Sequence, residues 1–234
     1  AGVINIITRD RFEKKLHASV DAYYETIGRY NAGLMYSMQL NKQNALGIHL
    51  SRNFFDGWHP VDSSRYKTWK PKRQYTLGIS YHYRKKNLKF SFNTDFLHEE
   101  LRDPGALTLA NLYEKALDGY HYTQRLNSRM NFTRILNDNF VINLQTGYSY
   151  FNKRRITYLN DLVNLQKTIS PDRALHDTTT FHLVTARGFA SNVTGKKFEY
   201  QTGFDVSYES AKGKHTSGRR EISDISGFIN FIFK

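Results

Sequence analysis

The 234-residue chain has no cysteine, only four prolines, and no methionine at its first position. A chain without cysteine forms no disulfide, which suits an oxidising compartment entered without such cross-links. No stretch approaches the ~18 uninterrupted apolar residues that a membrane-crossing helix needs, so a helical membrane protein is excluded. Enzyme signatures are missing too: the sequence holds no Gly-x-Ser-x-Gly, no His-Glu-x-x-His and no phosphate-binding Gly-Lys-Ser/Thr. Acidic residues are outnumbered, 21 against 34 Lys and Arg, for a formal charge of +13. In a soluble protein that excess would suggest nucleic acid. Here the basic residues are spread through turns and strand ends in no single run, which reads as solvated charge in contact with anionic lipid headgroups. A basic lumen that attracts an anionic ligand is the second reading, and nucleic acid is not expected as a partner.

Aromatic residues are abundant, with 16 Tyr and 16 Phe, while the mean hydropathy is −0.62. A chain that is polar on average yet rich in aromatic strand formers fits a transmembrane β-barrel, whose strands show apolar side chains to lipid and polar ones to the lumen. Period-two alternation runs along the chain. Leu16, Ala18, Val20, Ala22 and Tyr24 alternate with His17, Ser19, Asp21 and Glu25. Tyr30 to Leu40 repeats the pattern, and after a turn at Asn41 to Asn44 it resumes with Leu46, Ile48 and Leu50. Further strands are expected over Tyr75 to Tyr83, Leu88 to Phe96, Tyr120 to Arg134, Phe140 to about Tyr150, Thr179 to about Ala190, Phe198 to Tyr208 and Ile222 to Phe233.

Period alone does not separate a membrane barrel from a soluble sandwich. Three features favour the barrel. Short turns at Asn41 to Asn44, Arg84 to Asn87, Asn137 to Asn139 and Val193 to Lys197 alternate with long polar loops at Asn53 to Lys72, His98 to Gly119, Arg155 to Asp177 and Ala211 to Glu221. Apolar faces begin and end in Tyr or Phe, as aromatic girdles require. Several runs exceed the ~9 to 11 residues that cross a bilayer at a tilt. An exported barrel needs a signal peptide at synthesis, and none is present here, so the chain is expected to be incomplete at its start.

The opening Ala1-Gly2-Val3-Ile4-Asn5-Ile6-Ile7-Thr8-Arg9 does not fit the barrel alternation. Val3, Ile4, Ile6 and Ile7 make a short strand of the kind buried on both faces, and Gly2 permits a tight backbone approach before it. This motif resembles the end of the plug domain of TonB-dependent outer-membrane receptors of the siderophore and cobalamin type. A looser similarity lies in Glu99 to Gly105, Ala116 to Asp118 and Tyr122 to Asn127. The resemblance implies that residues 1–9 end the plug and residues 10–234 form about ten antiparallel strands of a roughly 22-stranded barrel. It implies a protein of the bacterial outer membrane that imports a scarce nutrient such as a ferric siderophore, cobalamin or haem. Its partners would be a small-molecule or metal-chelate ligand, outer-membrane lipid, and the TonB complex, engaged through an N-terminal region not contained in this sequence. No covalent chemistry and no cofactor are expected.

The Asn53 to Lys72 loop holds Trp58, His59, Tyr66 and Trp69, aromatic and polar side chains that can cradle a planar or macrocyclic ligand by stacking and hydrogen bonding. Loop-to-loop packing and girdle anchoring are the plainer reading. His121, Arg125 and Arg129 share the inward phase of the Tyr120 strand and could pair with acidic groups of a plug or guide an anionic chelate. The group Asp95, Glu99, Glu100 and Asp103 has oxygens enough for calcium, but resembles no EF-hand and is read as solvated charge. The rivals are a self-contained barrel of about ten strands, an adhesin or surface enzyme closed by Phe228 to Lys234, and a soluble sandwich whose aromatic faces pack on each other.

Overall fold

The computed structural model describes residues 14–61, 63–107, 112, 114–137, 140–192, 198–214 and 218–233. The expected plug strand over residues 1–9 and the turns at 138–139 and 193–197 lie outside the described residues. The strands are β1 (Leu16–Glu25), β2 (Arg29–Gln39), β3 (Asn44–Phe55), β4 (Lys72–Lys85), β5 (Leu88–Asp103), β6 (Lys115–Asn137), β7 (Phe140–Asp161), β8 (Lys167–Ile169), β9 (Asp177–Asn192), β10 (Phe198–Lys212) and β11 (Arg219–Phe233). They form one eleven-stranded sheet in which each strand of the main path pairs with the next, and only the short β8 stands off that path, against β7.

Register follows from alternation. In the antiparallel ladders Val20 faces Leu34, Leu34 faces Leu50, Leu50 faces Leu77, Leu77 faces Phe96, and Phe96 faces Leu126. One face of the sheet is therefore apolar and the other polar, and a slip by one residue would invert every strand. The first of the short turns shows how the sequence reverses the chain. The Asn41 side-chain oxygen accepts the backbone N–H groups of Gln43 at 2.8 Å and Asn44 at 2.9 Å, so the side chain stands in for a backbone turn.

No second layer packs on the apolar face among the described residues. Among the described residues the buried apolar side chains are Ala45, Phe54 and Ala116, whereas Val20 is 78% exposed, Ile225 81% and Phe231 59%. A soluble sandwich needs a second layer to bury such a face, whereas the wall of a membrane barrel presents it to lipid. Nor does the sheet close on itself: among the described residues β1 pairs only with β2, and Phe228 to Phe233 pair with β10. Among the described residues the strand expected to close a small self-contained barrel meets no strand at the other margin of the sheet.

Several strands run further than alternation predicts. β5 continues to Asp103, five residues past His98; β6 begins at Lys115, ahead of Tyr120; and β7 continues to Asp161, well past Tyr150. Beyond the bilayer both faces meet water, so the alternating signal disappears while the backbone ladder persists. Pairing runs as far as Lys115 with Asp161. The expected long loops are correspondingly shorter, and the one after β7 contains β8 and a 3-10 turn over Arg173–Leu175.

Candidate functional site

The long connections lie at one end of the sheet, the end that in outer-membrane barrels faces outward. After β3 the chain leaves the ladder and doubles back on itself: Trp58 and Trp69 exchange backbone hydrogen bonds of 2.9 and 3.0 Å. Their indole rings lie 5.2 Å apart. His59 takes the Val61 N–H at 3.0 Å and meets the edge of the Tyr66 ring at 5.8 Å. Lys70 stands 4.0 Å above the same ring and 2.5 Å from an Asp103 oxygen. The four candidate loop residues thus form two ring pairs on one small hairpin. Trp58, Tyr66 and Trp69 remain 37%, 40% and 54% exposed, so ring faces are left for a ligand.

What fixes this hairpin to the wall is a centre absent from the expected set. Asp118, 6% exposed, receives both terminal nitrogens of Arg65 at 2.5 Å. It also accepts the Gly105 N–H at 3.0 Å and the Asn160 side-chain amide. Arg65 donates in addition to the Gly105 carbonyl at 2.9 Å. One carboxylate therefore joins the β3–β4 hairpin, the exit of β5, β6 and β7. A side chain at Gly105 would put its Cβ 2.1 Å from the Leu117 carbonyl oxygen, so only glycine permits this approach. Asp118 shares the outward phase of Tyr120 and Tyr122, and an acid in that phase was the one available sequence signal.

A recess of about 360 Å³ opens beside this centre, lined by residues that include Asp56, Arg65, Lys72, Arg73, Glu100 and Arg102. The set mixes both charge signs, which suits a polar, partly ionised guest better than an apolar one.

His121, Arg125 and Arg129 lie on β6 in the inward phase. His121 is half-buried, opposite Leu101 and Arg155. Arg125 and Arg129 are exposed, and the Arg125 guanidinium stands 5.1 Å from the Phe151 ring. The wall around them is polar. Asn127 accepts from Ser149 at 2.7 Å, Arg187 lies 3.5 Å from Asp205, and His49 reaches over Gly78 to within 3.5 Å of Asp95. The four candidate calcium ligands separate onto different partners: Asp95 to His49, Glu99 to Gln74, Glu100 to Arg102 and Asp103 to Lys70. Among the described residues no cluster of three metal-ligating side chains occurs.

At the top of β7, outside the membrane-spanning part, Asp161 caps its own turn. Its carboxyl is held below the usual carboxylate value of 3.8, first because the Asn164 backbone N–H donates to it at 2.9 Å, with further donation from Val163 at 3.0 Å. A depressed folded value means stability present above the unfolded value and lost as pH falls through the folded one. The turn is expected to open with a midpoint below pH 3.8. The Asn164 amide resonance of the full-length protein, followed by NMR against pH, checks this; a midpoint at or above 3.8 contradicts it.

No family model matches the sequence, and no curated protein matches it. Among solved structures, the copper transporter OprC superposes on 87% of this chain with a TM-score of 0.58 at 12% identity, and the unliganded ferric citrate transporter FecA on 88% with a TM-score of 0.53 at 10% identity. The fold is that of a TonB-dependent outer-membrane receptor barrel. The chain spans about a third of those structures, 33% of each. In such a receptor barrel the polar face of the sheet lines the lumen, the short turns face the periplasm, and the Trp58–Trp69 hairpin stands at the outer rim.

Proposed function

We propose that this chain is the first part of the barrel of an outer-membrane receptor that takes up a scarce nutrient, with residues 1–9 as the end of its plug. The single observation that carries the reading is the sheet itself. It is open and antiparallel, with an uncovered apolar face and a polar face, and it follows the course of OprC and FecA over nearly nine-tenths of the chain. The ligand is a small molecule or metal chelate too large for porins, a ferric siderophore above all, with cobalamin and haem as members of the same class. Trp58, His59, Tyr66 and Trp69 are its rim contacts. His121, Arg125 and Arg129 face the plug or the passing anion across the lumen. The TonB complex supplies the energy, and the protein performs no covalent chemistry.

The test is uptake by cells carrying the full-length protein, offered ferric siderophores, ferric citrate, copper, cobalamin and haem in turn. Accumulation of one of them that stops on deletion of the gene and on collapse of the proton gradient supports the reading; accumulation of none overturns it. Replacing Trp58 and Trp69 by alanine is expected to weaken capture of that ligand about tenfold, since each ring contributes roughly 0.5–1.5 kcal/mol by stacking. Equilibrium binding to outer-membrane preparations measures it, and unchanged affinity removes the two indoles from the site.

A further inference from the structure

The outer face of the sheet carries, above its apolar band, a set of side chains that are not among the rim and lumen residues assigned above to ligand capture and plug docking, and of which Arg73, Glu100 and Arg102 also line the recess beside Asp118. The last apolar rung crosses β3 to β7 as Leu50, Leu77, Phe96, Leu126 and Tyr150. The next rung reads Arg52, Tyr75, His98, Gln124 and Asn152, and the one above it Phe54, Arg73, Glu100, Tyr122 and Arg154. Arg102 and Tyr120 follow. From Leu126 to Tyr122 is ~13 Å along the strand, or roughly 10 Å of height at a tilt of ~40°. That height is the headgroup layer.

The cations there are held on rings. Arg52 lies 3.8 Å from the Phe54 ring centre, Arg154 5.3 Å from Tyr122, and Arg102 5.7 Å from Tyr120. Lys167, brought down by β8, stands 3.7 Å from Tyr120 and 4.1 Å from Tyr158, and those two tyrosines pack edge to face at 5.3 Å. Ring contact fixes the position of each cation and leaves its hydrogen-bond donors available. Four arginines, Arg52, Arg73, Arg102 and Arg154, share these rungs with one acid, Glu100, which Arg102 meets at 2.6 Å, and Lys167 reaches down to them from its place opposite Asn160. Asp118, higher up, is taken by Arg65.

We propose that this patch is a binding site for the phosphate-bearing headgroup of an outer-leaflet lipid. Its phase turns it away from the lumen and continues the lipid-facing rungs, so a soluble chelate entering the barrel does not meet it. Its excess of cations fits a doubly charged phosphate, which arginine forks bind bidentately. The inference rests on the outer-membrane reading above.

The full-length protein, purified in mild detergent, is titrated with a bis-phosphorylated glycolipid and with the same lipid after dephosphorylation, bound lipid being counted by native mass spectrometry. The triple variant Arg73→Gln, Arg154→Gln, Lys167→Gln is expected to bind the phosphorylated lipid about 100-fold more weakly, each surface cation contributing roughly a factor of five. A lumen-facing triple variant, Lys89→Gln, Lys153→Gln, Arg155→Gln, removes the same charge and should stay within about threefold. Unchanged binding in the first variant, an equal loss in the second, equal binding of the dephosphorylated lipid, or displacement by millimolar inorganic phosphate overturns the proposal. Heat-dependent gel migration verifies that each variant barrel has assembled. Fractionation keeps the two readings apart. Absence of the full-length protein from the outer membrane sinks the receptor reading. Presence there without lipid discrimination sinks only this one.

Discussion

Replacing Asp118 by alanine is expected to release the Trp58–Trp69 hairpin from the barrel wall. The change leaves the Arg65 guanidinium without its bidentate partner and the Gly105 N–H and Asn160 amide without their acceptor. Breaking a largely buried ion pair by removing one member costs about 3–5 kcal/mol, because the charge that remains is desolvated and unpaired. The Arg65 side chain is 26% exposed, which places the effect at the low end, about 3 kcal/mol, or roughly a 100-fold rise in the open population of the hairpin. Limited proteolysis of the full-length protein in its membrane reads that population as the rate of nicking between residues 56 and 71. Asp118→Asn keeps an acceptor for Gly105 but loses the charge, so it should fall between wild type and alanine. A nicking rate that Asp118→Ala does not raise would remove this carboxylate as the anchor of the rim.

The second large effect concerns which way a side chain faces. Met130 sits in the lipid-facing phase of β6, opposite Phe92 and Thr146, and Asn131 beside it faces the lumen, where it donates to Ser91 at 3.2 Å. An arginine on the lipid face near the midplane costs about 2–4 kcal/mol, while one on the lumen face meets water. Met130→Arg should therefore lower the stability of the full-length barrel by that amount in a reversible denaturant titration into lipid vesicles, and Asn131→Arg should leave it within about 0.5 kcal/mol. Equal losses at the two positions would mean that the polar and apolar faces have been assigned to the wrong media.

What could be read from residues alone follows the bilayer. Where one face meets lipid and the other water, alternation is strict: Leu46, Ile48 and Leu50 in β3, or Phe204, Val206 and Tyr208 in β10, identify strand, face and register together. Above the bilayer that contrast is lost. Arg102, Asp103, Lys115 and Arg155 read as loop, yet they belong to continuous strands. The aromatic loop is conspicuous by composition, and its rings do meet in pairs. Its anchor was illegible for a different reason. Arg65 and Asp118 are 53 residues apart, and only the stagger of β5, β6 and β7 brings the guanidinium to the carboxylate. Lys167 over Tyr120 and Tyr158 is hidden in the same way, because β8 is too short to show a period.

That each strand of the main path lies against the one preceding it on that path has a kinetic meaning. Contacts between sequence neighbours demand little loop closure, so the entropy of search is met in small instalments and the relative contact order stays low for so large a sheet. Such a wall can grow hairpin by hairpin, the most recent strand serving as template for the next. Each added hairpin satisfies one line of backbone N–H and C=O groups and exposes another of equal length. Inside a bilayer an exposed line is tolerated only briefly. Growth of this wall is therefore a sequence of short local steps, and closing such a wall into a barrel is the step that must join margins far apart in the sequence, with the largest loop to close.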